Sequence, residues 1–149
     1  MKSIAIGCDP NAAEMMAEIA NHVEALGYHC EDYGSDDPIY ANTAIRVAEE
    51  VANGKHDRGI LMCGTGIGVS IAANKVPGAY AALVTDPYSA ETSRKSNNVN
   101  IICFGAQTIG VEAAKSLLSI WLASDYTPGG RSEAKIKRIV EYERSRRLR

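Results

Sequence analysis

Gly59-Ile60-Leu61-Met62-Cys63-Gly64-Thr65-Gly66-Ile67-Gly68 is the stretch that decides the fold. Its first half is apolar without alternation, as expected of a strand covered on both faces in a parallel sheet. Its second half places glycine at alternate positions directly before a helical pattern, so that backbone N–H groups converge on an anion at the helix N-terminus. Similar apolar runs lie on either side. Ser3–Gly7, Tyr28–Tyr33, Ala79–Val84 and Asn100–Phe104 complete a set of five strands. Helical patterns fall between and after them, at Pro10–Leu26, Tyr40–Asn53, Val69–Lys75, Pro87–Ser96, Val111–Ser124 and Ser132–Arg147. Asp9-Pro10 reads as an N-cap followed by proline at the first helical position, and Gly27 and Gly54 as helix stops. Regular alternation of strand and helix implies an α/β fold, a three-layer αβα sandwich with a parallel sheet.

The chain of 149 residues carries 16 Lys+Arg against 18 Asp+Glu, with 46% apolar residues. One domain over 1–149 is expected, large enough to need no disulfide or metal staple. No apolar run reaches the ~20 residues that span a bilayer, and the first residues lead directly into a core strand, so a cytoplasmic protein without membrane association is expected. The four cysteines and three histidines stand at no ligand spacing, which argues against a zinc site. Charge is uneven: the segment from Arg131 to Arg149 has eight Lys/Arg and three acids, a net +5, against −7 for the rest. A solvated helix face with cations near its C-terminus explains this better than a nucleic-acid site, given the acidic body. Ile136, Ile139, Val140 and Leu148 give this last helix one apolar face that must pack on the body or on a partner subunit.

In open parallel sheets ligands sit outside the carboxyl ends of the strands. The residues leaving the strands are Cys8-Asp9, Gly34-Ser35-Asp36-Asp37, Cys63 to Gly68, Thr85-Asp86 and Gly105-Ala106-Gln107. The central turn lacks the third glycine of a dinucleotide fingerprint and the Gly-Lys-Ser/Thr of a P-loop, so no nucleotide site is expected. Tight strand–helix packing also demands glycine, but Cys63 stands at the mouth of this turn. A thiol beside a helix N-terminus is expected to ionise more readily and to act as nucleophile or base. Cys30 and Cys103 read instead as inert strand thiols. His22, His29 and His56 all fall at the opposite sheet end, so no histidine serves a nucleophile. A thiolate base beside an anion hole, drawing a proton from carbon next to a carbonyl, fits better. Arg131 and Lys135, one turn apart, can grip a phosphate or be merely solvated. Ser96-Asn97-Asn98 can carry chemistry or simply end a helix.

Taken together, Ile4 to Asp9, Gly59 to Gly78, Tyr88-Ser89-Ala90 and Gly129-Gly130-Arg131 resemble the family of type B ribose 5-phosphate isomerases and galactose 6-phosphate isomerase subunits. The resemblance spans nearly the whole chain. It implies a Rossmann-like fold with a five-stranded parallel sheet, working as a homodimer or dimer of dimers with shared sites. It implies that Cys63 moves the proton between C1 and C2, with Thr65 assisting at the sugar oxygens and Asp9 beside it. Amides of Gly64, Gly66, Ile67 and Gly68 would hold the enediolate, Arg131 and Lys135 the phosphate, and Tyr40, Ser96 and Asn97 further parts of the substrate, Asn97 in the partner's site. No metal or organic cofactor is implied.

This sequence departs from the family at Pro10 and Ser96, both usually histidine, at Asp36-Asp37-Pro38, and at Lys135, usually arginine. The histidine that Ser96 replaces is assigned to opening the sugar ring. A tetrose 4-phosphate cannot close a furanose, because the oxygen that would attack C1 carries the phosphate. The departures, with Tyr40-Ala41-Asn42 and Gly130-Arg131-Ser132, therefore resemble an erythrulose 4-phosphate isomerase branch. A ribose 5-phosphate isomerase, and a non-catalytic sugar-phosphate-binding subunit, are the alternatives; Cys63 and Thr65 argue against the last.

Overall fold

The computed structural model describes residues 2–147. Five parallel strands form one sheet: β1 (Ser3–Cys8), β2 (His29–Asp32), β3 (Arg58–Cys63), β4 (Ala81–Leu83) and β5 (Ile101–Gly105), in the order β2-β1-β3-β5-β4. The helices are α1 (Ala13–Ala25), α2 (Tyr40–Ala52), α3 (Ile67–Ala73), α4 (Pro87–Lys95), α5 (Val111–Leu122) and α6 (Glu133–Arg147). This is the α/β sandwich expected.

Alternate residues of each central strand feed two apolar layers. Ile4, Ile6, Ile60, Met62, Ile102 and Phe104 pack with α1 and α5, whereas Ala5, Leu61, Cys63, Ile101 and Cys103 pack with α2 and α3. Because β1 and β3 are buried on both faces, they must lie in the middle of the sheet, and they do. Burial also holds the other thiols protonated: Cys8 and Cys30 are pushed up to about 12 and Cys103 higher still, in each case first by desolvation.

Several boundaries shift. Pro10–Ala12 is a 3-10 turn rather than the first turn of α1, because the Asp9 carboxylate accepts from Asn11 N–H at 2.7 Å and tightens the start. The second and fourth strands are shorter than their apolar runs, being edge strands paired on one side only. Helix α3 begins at Ile67, two residues before the expected Val69, since Gly66 in the left-handed region turns the chain immediately. Helix α6 has no buried residue among those described; Leu148, counted above on its apolar face, lies outside them. Glu143 ties α6 to the body by accepting from Gly78 N–H at 3.2 Å and the Tyr80 hydroxyl at 2.8 Å. No helix among the described residues is long and apolar enough to cross a membrane.

Candidate active site

From β1 the chain runs outward to β2 on one side, and from β3 towards β5 and β4 on the other. The order reverses between β1 and β3, where an open parallel sheet forms its ligand crevice. Asp9 and Cys63 emerge at this point. Cys8 pairs with Met62, and Asp9 N–H donates to the Met62 carbonyl at 3.0 Å, so the two side chains leave adjacent strand ends. Both are nearly buried, at 8% and 5% exposure.

The turn after Cys63 is held from three directions. Gly66 N–H donates to Cys63 Sγ at 3.1 Å, and Ile67 N–H to Thr65 Oγ1 at 3.2 Å. From the next strand, Ala106 N–H donates to the Cys63 carbonyl and Gln107 N–H to that of Gly64, each at 2.9 Å. Gly66 has φ +78°, and a methyl there would lie 2.7 Å from Leu83 and 2.9 Å from the Phe104 backbone. A methyl on Gly68 would collide with the Tyr40 hydroxyl, so Tyr40, at the start of α2, closes one side of the turn.

These bonds narrow the anion cradle read from the sequence. Gly66 and Ile67 spend their N–H groups on the sulfur and on the threonine, leaving those of Gly64, Thr65 and Gly68 without a partner among the described residues. The Thr65 side chain is exposed, with its hydroxyl still able to donate. Gln107, one of the residues leaving the strands, receives no role from the sequence. Its carboxamide oxygen lies 3.2 Å from where a Gly64 side chain would begin, and its place just beyond a carboxyl strand end was the available signal.

The structure brings Asp9, Cys63, Thr65, the glycine turn and Tyr40 together, whereas no hydrogen bond among the described residues ties Ser96, Asn97, Arg131 or Lys135 to them. Helix α4 runs back along the sheet; Asn97, just past its end, shares a small cavity with Leu83, Val84, Tyr88 and Ser89, and Asn98 leaves the helix at φ 53° as a helix exit should. Arg131 and Lys135 follow a segment that Arg58, at the start of β3, anchors by donating to the Ser124 carbonyl and to Asp125. The histidines stay at the amino side too; His56 bonds Ser3 and Tyr33 at 2.8 Å each. Cavities of about 620 Å3, beside α1 and α5, and 590 Å3, beside α6, do not include Cys63.

A buried sulfur at the switch point, held by an amide N–H and flanked by unpaired amides and a carboxylate, suits proton transfer next to a carbonyl. Residues 4–139 match the model of the family described as Ribose/Galactose Isomerase. The chain belongs to that family. It is therefore a sugar-phosphate aldose–ketose isomerase. It is 44% identical to the D-erythrulose-4-phosphate isomerase of Pectobacterium atrosepticum, covering 96% of each chain. It is 41% identical to the ribose-5-phosphate isomerase B of Escherichia coli, covering 98% of this chain and 99% of that one. Among solved structures, the type B ribose 5-phosphate isomerase of Trypanosoma cruzi superposes with a TM-score of 0.92 at 36% identity, over 98% of this chain and 99% of that one.

Proposed function

We propose that this isomerase interconverts D-erythrulose 4-phosphate and D-erythrose 4-phosphate, with Cys63 as the base. The Cys63 thiolate takes a proton from C1 of the ketose, the electron pair moves towards the C2 oxygen, and the enediolate rests against the free amides of the glycine turn. The proton returns to C2, and the Thr65 hydroxyl relays the exchange of a proton between the two oxygens. Asp9, fixed by Asn11 N–H, orients the sugar hydroxyls. Arg131 and Lys135 hold the phosphate.

The observation carrying the choice of substrate is that Pro10 and Ser96 stand where the family has histidines, so no imidazole is available to open a ring. Sequence identity does not discriminate, since a relative from Listeria innocua named ribose-5-P isomerase B is also 44% identical. An acyclic four-carbon substrate needs no ring opening, whereas ribose 5-phosphate is mostly a closed furanose. Side-by-side kinetics test this: kcat/KM is expected to be higher for erythrulose 4-phosphate, and a preference for ribose 5-phosphate overturns it.

The working unit is a homodimer, or a dimer of dimers, with sites shared between subunits. In this reading Asn97, Arg131 and Lys135 of one copy serve the site of the other. Exposed Ile67, Ile71, Leu83 and Tyr88 beside the turn, with Ile139 and Tyr142 on α6, supply apolar surface for that contact.

A further inference from the structure

At the amino ends of the strands, opposite Cys63, a second polar cavity of about 200 Å3 is lined by Lys2, Tyr28, Asp57, Arg58, Arg94 and Asp125. Arg58 and Arg94 are only 7% and 9% exposed. Both donate to one carbonyl, that of Ser124, at 2.9 Å from Arg58 Nη2 and 3.3 Å from Arg94 Nε. Two buried guanidinium groups thus lie side by side. Burial, and then Arg58 itself, bring Arg94 down to about 10. Arg58 also donates to the Trp121 carbonyl, and Arg94 to the Val99 carbonyl and the Asn98 side chain. Arg94 Nη2 and Lys2 Nζ have no hydrogen bond or ion pair among the described residues. Of the two carboxylates, Asp57 accepts from Ser3 N–H, while Asp125 pairs with Arg58 at 2.8 Å although its side chain is 73% exposed.

Three cations against two carboxylates leave the cavity positive, and an exposed carboxylate is a weak and replaceable counter-ion. Guanidinium groups offer paired donors that match oxyanions, and the volume is several times the roughly 30 Å3 share of one water. We propose that this cavity binds a small oxyanion of the inorganic phosphate class, held by Arg94, Arg58 and Lys2, with Asp125 giving way to admit it. The site uses none of the residues assigned to the substrate's phosphate. Bound there, the ion would join the start of β1, the last turn of α4 and the segment after α5, and so fix the chain that leads into Ser96 and Asn97.

The test measures thermal unfolding with inorganic phosphate against chloride at equal ionic strength, in an Arg131→Ala/Lys135→Ala background that removes the proposed substrate-phosphate grip. At tenfold over Kd the midpoint should rise by about 3 to 6 °C. Lys2→Glu, at an exposed position, should abolish most of the rise, and Asp125→Asn should reach it at lower phosphate. A rise that vanishes in the double-variant background, or that is equal in Lys2→Glu and Asp125→Asn, overturns the proposal; the latter result marks general salt stabilisation.

Discussion

Cys63 is the residue on which the proposed chemistry turns. Its sulfur meets an amide N–H at 3.1 Å, beside Asp9 and at the reversal of strand order, whereas burial holds the thiols of Cys8, half-buried Cys30 and Cys103 protonated. Cys63→Ala should lower kcat by about 100- to 10,000-fold with an unchanged circular dichroism spectrum, and Cys63→Ser should do little better, since a hydroxyl is too weak a base near neutral pH. Retention of more than about a tenth of kcat would move the base elsewhere, with Asp9 the next candidate. Gly66 supports the same sulfur through its backbone. Gly66→Ala places a methyl against Leu83 and the Phe104 backbone at positive φ, and should cost about 2–4 kcal/mol in denaturant unfolding while reducing activity by displacing the N–H that faces Sγ.

At the scale of elements, the strands hold thiols where water stabilises a thiolate poorly. Cys8 in β1 and Cys30 in β2 are raised from 9.0 to about 12, so folding favours their protonated forms. Their contribution is fully present below pH 9 and is lost as pH rises towards 12, because the unfolded chain releases protons that the folded chain retains. Denaturant unfolding should show stability falling across this window, with a shallower fall in Cys8→Ala/Cys30→Ala; equal slopes would mean that these thiols are not desolvated. Helix α3 presents another element-scale result. Its early start places Gly68 in the first helical turn, so the free amide of Gly68 belongs to a helix N-terminus, where anions are favoured.

For the whole molecule, the question is how Cys63 and Arg131, which no hydrogen bond joins within one chain, serve one reaction. Arg131→Ala removes a charge-assisted contact of roughly 1.5–3 kcal/mol and should lower kcat/KM by about 10- to 100-fold. If the sites are shared, mixing it with Cys63→Ala under conditions of subunit exchange creates hybrids holding one intact site, and activity should recover to about a quarter of wild type by statistical mixing. Absence of recovery after verified exchange would place both residues in one chain's site or remove Arg131 from it.

The α/β class, the five strands, the six helices and the standing of Cys63-Gly64-Thr65-Gly66-Ile67-Gly68 as the candidate site were all legible in the sequence. Hydrophobic period and glycine spacing are local properties, and local chain stiffness translates them directly into strand, turn and helix. The start of α3, the shortness of β2 and β4 and the 3-10 turn at Pro10 were not, because they depend on which neighbours pair or pack against each end. Nor could the sequence assign which N–H groups of the glycine turn remain free, or bring Gln107 against Gly64. Those follow from the register of β3 with β5 and from a left-handed Gly66, which turn some amides towards sulfur and threonine and leave others open. Finally, only the tertiary structure seated Asn97 in a cavity with Leu83, Val84, Tyr88 and Ser89. A helix returning along a parallel sheet sets the residues after it beside the strand that came before it, a proximity that no spacing along the chain records.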